Sequence, residues 1–189
     1  MVLDHNDRRY SYDEPDWLAG LGLGDSRLRR LAAYWDALRG ARIMPRFDEL
    51  EPWKVPDLLP IMWVWRVDRE RRLMFLRLVG EEVQRVLGSW PRGAELAEAA
   101  PKAVLPLLRR RYEAVAYGPA ILYVRGMALL GDMRVPAERL VLPLGAGEQA
   151  ADDILGISHY DLTPRREIEE RAYATEESAE TLLPLSALA

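Results

Sequence analysis

The sequence predicts an α+β domain organised around an antiparallel sheet. Five segments are rich in strand-forming residues: 61–67, 73–79, 120–129, 139–144 and 153–160. A single block with helical spacing separates the second segment from the third. Runs of strands interrupted once by helices give this architecture, and the order is not that of a βαβ nucleotide fold.

A chain of 189 residues fits one domain with tails, large enough to bury a core without staples. There is no cysteine, which excludes disulfides, thiolate metal sites and cysteine nucleophiles. A net charge of −4 lacks the basic footprint of a nucleic-acid binder. The amino terminus carries no apolar leader, and no run approaches the roughly 18 apolar residues of a membrane helix. The expected location is cytoplasmic, with neither nucleic acid nor membrane among the partners.

Residues 1–24 are polar and then rich in glycine, and read as a mobile tail. Gly20-Leu21-Gly22 is a poor nucleotide loop, because no strand precedes it and Asp25 stands where a third glycine belongs. Asp25 or Ser26 can cap a helix over 26–39 that Gly40 ends. Leu28, Leu31, Trp35 and Leu38 fall on one stripe at spacings of three and four. That stripe suits either packing on the domain or pairing with a second copy, and these four residues are the expected dimer interface.

Pro45, Pro52, Pro56 and Pro60 break the next stretch into short turns. Ile61 to Val67 is apolar on both faces and suits a central strand covered on both sides. Leu73 to Val79 completes a hairpin. Short helices are expected over 81–87 and 94–99, and a longer one from Pro101 to about Tyr117. After the last strand, 163–189 reads as a charged helical or disordered tail. Ile168, Ala172, Thr175, Ala179 and Leu182 form only a weak heptad. The apolar last residues, Leu182 to Ala189, are suited to docking on their own domain or on a partner.

Chemistry-bearing residues are sparse. The two histidines are His5, in the tail, and His159, which alternates with Leu155 and Ile157. A lone strand histidine is more often hydrogen-bonded than a haem or metal ligand. The adjacent pairs Glu81-Glu82 and Asp152-Asp153 point apart, so neither is a natural acid–base dyad. No catalytic constellation and no metal site emerges, and no cofactor is called. Arg77 shares a strand face with Phe75 and Val79; if that is the cleft face, its guanidinium must pair with an internal carboxylate or backbone carbonyl or bind an anionic ligand. Trp63 and Trp65 share one face of the first strand and suit the core, with partner anchoring as the alternative. Trp17, Trp53 and Trp90 lie in the tail or turns and are candidates for exposure.

The segments Leu31-Ala32-Ala33-Tyr34-Trp35-Asp36-Ala37-Leu38-Arg39-Gly40, Pro45-Arg46-Phe47-Asp48, Leu76-Arg77-Leu78-Val79-Gly80, Leu87-Gly88 with Arg92-Gly93, Glu138 to Leu144, and Asp153-Ile154-Leu155-Gly156 occur in a telling order. Together they resemble a bacterial group of stand-alone PAS-domain proteins common in alphaproteobacteria. The match covers about 26–162, and Glu81 departs from it by standing where a small hydroxyl residue often follows the glycine. The resemblance implies a PAS-like domain over 25–162. Its fold would be a five-stranded antiparallel sheet with helices on one face and a central cleft, with the 26–39 helix flanking it.

It also implies a non-enzymatic sensory or regulatory protein acting through protein–protein interaction, with an unidentified signalling protein and a second copy of the chain as partners. Arg77, Phe75, Tyr112, Tyr123 and His159 are the residues expected to meet a small ligand in the cleft. The alternatives are a sensor built around haem, flavin or a small anion, and a purely structural dimerisation module.

Overall fold

The computed structural model of the chain describes residues 11–88, 90–130, 133–162 and 179–188. The helices are α1 (Asp16–Ala19), α2 (Ser26–Arg39), α3 (Glu81–Leu87), α4 (Leu96–Ala99) and α5 (Leu105–Tyr117). The strands are β1 (Met62–Asp68), β2 (Leu73–Val79), β3 (Ala120–Leu130), β4 (Met133–Leu144), β5 (Asp153–Tyr160) and β6 (Ala179–Pro184). They form one antiparallel sheet in the order β2-β1-β5-β4-β3-β6.

Local chemistry sets the boundaries. The Asp25 carboxylate accepts from the Arg27 amide and opens α2; Gly40, at φ 55°, closes it. The 3-10 turns at Phe47–Glu49, Pro52–Lys54 and Leu59–Ile61 follow the prolines into β1. Helix α5 begins at Leu105 and not at Pro101, with Pro106 in its first turn. A helix running from Pro101 would place Pro106 in its second turn, where the ring meets the carbonyl four residues earlier.

The sheet is buried on both faces, which is why β1 is apolar on both sides. On one face α3, α4 and α5 cover Trp63, Trp65, Leu76, Leu122, Val141 and Ile154. On the other, α1, α2 and the turns before β1 cover Met62, Val64, Leu140, Leu142, Leu155 and Ile157. The flanking helix therefore occupies the face opposite the other three.

Four expectations need correction. Residues 11–24 do not hang free: Leu18, Leu21 and Leu23 are buried, and Trp17 meets Trp35 edge-on with its Nε1 donating to Asp36. The glycines there serve turns between buried leucines. Residues 1–10 lie outside the described residues.

The dimer stripe is consumed within the domain. Leu28, Leu31 and Trp35 have no exposed surface, and Leu38 packs against the same core. Leu28, Leu31 and Trp35 are therefore core residues, and Leu38 is half-buried at its edge.

The end of the chain adds a sixth strand. Of the weak heptad, Ala179 and Leu182 lie in β6, where Leu182 pairs with Leu122 of β3, while Ile168, Ala172 and Thr175 fall outside the described residues. The apolar terminus docks on its own domain, with Leu185 buried beside the sheet. The β3 edge is thereby covered and β6 becomes the outer strand, while 93–95 bonds the outer side of β2 at the other end of the sheet.

Of the tryptophans expected in turns or tail, only Trp53 is exposed, at 64 %; Trp90 is buried against Trp65.

Candidate functional site

The cleft between the sheet and α3–α5 is filled largely by the chain's own aromatic rings. Trp63 pairs with Gly156 across β1 and β5, and its indole lies flat on that glycine. A methyl group at 156 would sit 1.9 Å from Trp63 Cζ2, so only glycine fits. Tyr112 descends from α5 onto Trp63, with ring centroids 5.2 Å apart. Trp65 packs on Trp90, and its Nε1 is buried without a protein acceptor among the described residues.

Beyond Trp63 the same face becomes polar. Arg139 of β4 pairs directly with Ser158 of β5, so the two side chains emerge side by side. Arg139 Nε donates to Ser158 Oγ at 3.0 Å, and Trp63 Nε1 donates to the same oxygen at 3.0 Å. Arg139 Nη2 donates to the Tyr160 hydroxyl at 3.0 Å, two residues further along β5. The guanidinium lies 6.0 Å from the Trp63 ring centroid. Burial pushes the nearby Tyr112 hydroxyl above its ordinary pKa, so it stays protonated at neutral pH.

Among the described residues no carboxylate forms an ion pair with Arg139. Its neighbour Glu138 points to the opposite face, where it accepts from the Gly24 and Asp25 amides and meets Arg125. A guanidinium carries five N–H donors and stays charged at any ordinary pH. Ser158 and Tyr160 take one each, leaving the rest for an acceptor. A cavity of about 50 Å³ opens beside Ser158 and Tyr160, lined also by Glu82 and Arg85 of α3 but not by Arg139 itself.

The residues read from the sequence do not assemble there. Only Tyr112 reaches the cleft. Arg77 is the extra residue of a bulge: Val64 pairs with Leu78 and Trp65 with Leu76. The bulge breaks the expected alternation, so Val79 packs on the cleft side while Arg77 turns to the α2 side. There Arg77 Nη1 donates to both carboxylate oxygens of Asp153 at 2.9 Å and lies over the Phe47 ring. Its charge is spent on an internal carboxylate.

Phe75 is half-buried beside the 93–95 segment. Tyr123 is buried against the α2 layer, its hydroxyl pushed up to about 12 by burial and then by Glu138. His159 sits in a clamp at the start of α2: Arg27 Nη2 lies 2.6 Å from Nδ1 and Asp25 Oδ2 lies 3.5 Å from Nε2.

The missed residues were Arg139, Ser158, Tyr160 and Trp63 in its polar role. One signal was available. Arg139 alternates with Val141 on an apolar strand, the same pattern that drew attention to Arg77.

Comparison with known proteins places this geometry. A family model described as a PAS domain matches residues 24–159. No curated protein matches the chain. Among solved structures, a point variant of RsLOV is 17 % identical, with a TM-score of 0.40 over 61 % of this chain and 69 % of that one. The Rhodobacter sphaeroides LOV protein is 21 % identical, with a TM-score of 0.37 over 59 % and 65 %. The sheet order, the three helices over one face and a family match spanning both lead to one assignment: the chain belongs to the PAS domain family.

Proposed function

We propose that this chain is a non-enzymatic sensory and regulatory PAS protein that takes a small anion at Arg139 and passes its state on through contact with a partner protein. One observation carries the reading: a guanidinium in the cleft, held by two hydroxyls and ringed by Trp63 and Tyr112, with no carboxylate partner among the described residues. Arg139 is half-buried, so its charge is partly withdrawn from water and gains from a counter-charge, and a carboxylate answers the fork geometry of arginine. Trp53 supports the output half of the reading. It is the large aromatic left in solvent on the α2 side, and such residues anchor interfaces.

Thermal unfolding with acetate, chloride or phosphate added tests the site, comparing the wild type with Arg139→Gln. Acetate should raise the wild-type melting temperature at constant ionic strength and leave Arg139→Gln unmoved. Equal responses of the two proteins would refute an anion site at Arg139.

A further inference from the structure

A second cavity lies on the other face of the sheet, remote from Arg139. It measures about 230 Å³ and sits between the α2 layer and strands β1 and β2. Met62, Val64 and Leu78 form its floor, with Tyr34, Phe47 and Leu59 among its walls. Asp48 is the one charged residue that lines it, and that carboxylate is turned to Arg46 at the surface. The Tyr34 hydroxyl is already engaged, accepting from the Glu51 amide at 2.6 Å. Apart from Asp48 and the Tyr34 hydroxyl, the side chains that line the cavity are apolar. The cavity opens to solvent on one side; apolar space of this size takes up apolar molecules, and an enclosed apolar cavity of about 150 Å³ admits benzene.

We infer that this cavity is a binding site for a small uncharged apolar molecule, distinct from the cleft and independent of the anion reading. By the benzene ratio, about 25 Å³ for each heavy atom, it takes about nine heavy atoms, the size of a bicyclic aromatic or a short alkyl chain. A charged ligand would be buried without a partner. The cavity also has a mechanical connection. Phe47 forms part of its wall and at the same time lies 3.3 Å beneath the Arg77 guanidinium, which holds Asp153 on β5. An occupant that shifts Phe47 shifts the Arg77–Asp153 pair, and with it the join between β2 and β5.

Indole is a suitable probe, followed by the methyl NMR resonance of Met62 and by thermal unfolding of the full chain. Wild type should bind indole saturably, with the Met62 methyl moving and the melting temperature rising. Leu78→Trp fills the cavity and should weaken indole binding at least tenfold, while Arg139→Gln should bind it as the wild type does. If Leu78→Trp does not fold, Leu59→Phe serves the same purpose from the wall. No Met62 shift in the wild type, or unchanged affinity in a folded filling variant, overturns the inference. So does binding that appears only after residues 1–10 are removed, because the occupant is then the chain's own amino terminus. Loss of acetate binding with retained indole binding, or the reverse, separates the two sites.

Discussion

Replacing Arg77 with methionine keeps most of the side-chain volume and removes one charge. Asp153 is then left alone: its side chain is 6 % exposed, against 25 % for Arg77. Nη1 lies 2.9 Å from both carboxylate oxygens, so the charge centres are about 4 Å apart and attract by ~4 kcal/mol at an effective dielectric near 20. Burial already outweighs that attraction, since the Asp153 carboxyl is held above its ordinary value despite Arg77. Without the guanidinium it climbs further, and protonation caps the penalty. The expected loss at pH 8 is about 3 kcal/mol, at the lower end for a broken buried pair.

The sign with pH follows from the raised pKa. Stability contributed by Asp153 is fully present below the ordinary value of 3.8 and is lost as pH rises through the folded value. Arg77→Met moves that folded value upward, so the variant should be less impaired at pH 5 than at pH 8. Adding Asp153→Asn removes the stranded charge and should recover all but about 1 kcal/mol. Urea denaturation of the three proteins at both pH values measures this. A single variant as stable as the wild type at pH 8, or a double variant no better than the single, would refute the buried-pair argument.

Three further outcomes are expected. Gly156→Ala forces a methyl into the Trp63 ring and should cost about 1–3 kcal/mol by overpacking, with a red shift in tryptophan fluorescence as the indole leaves Ser158; a change below ~0.5 kcal/mol would show that Trp63 relocates freely. Asp25→Ala removes the α2 cap and should cost about 1–2 kcal/mol at neutral pH. Burial pushes that carboxyl up, but the hydrogen bonds from Arg27 outweigh it and hold it below 3.8. The Asp25 contribution is therefore present above that value and disappears as pH falls through the lower folded one. Leu185→Ser takes a buried anchor from the end of β6 and should cost about 2–3 kcal/mol; by loosening β6 it should uncover the β3 edge, read as concentration-dependent light scattering.

Much of the fold was legible because its signals are local. Trp63 to Val67 and Leu73 to Val79 announce strands by residue type alone, and Asp25 and Gly40 mark both ends of α2. The sixth strand was not legible. Ala179 to Pro184 alternates poorly, and its partner β3 lies more than fifty residues earlier in the chain. The stretch 11–24 misled for a related reason: its glycines resemble a tail, and the burial of Leu18, Leu21 and Leu23 depends on a surface that α2 and the sheet create together.

By itself, the sequence determined the types and order of the elements from α2 to β5 and the absence of cysteine chemistry, because spacing, caps and composition act within a few residues. It could not determine which side chains share a face or a cavity. Met74 and Leu76 face the cleft, so alternation puts Arg77 on the other side of β2 in a pair with Asp153, and the bulge after it brings Val79 back to the cleft. The site at Arg139 exists only because β4, β5 and β1 lie side by side, bringing Ser158, Tyr160 and Trp63 to one guanidinium from distant stretches of chain. Register and sheet order are products of the whole core, so charge pairing and cavity shape were settled by tertiary structure alone.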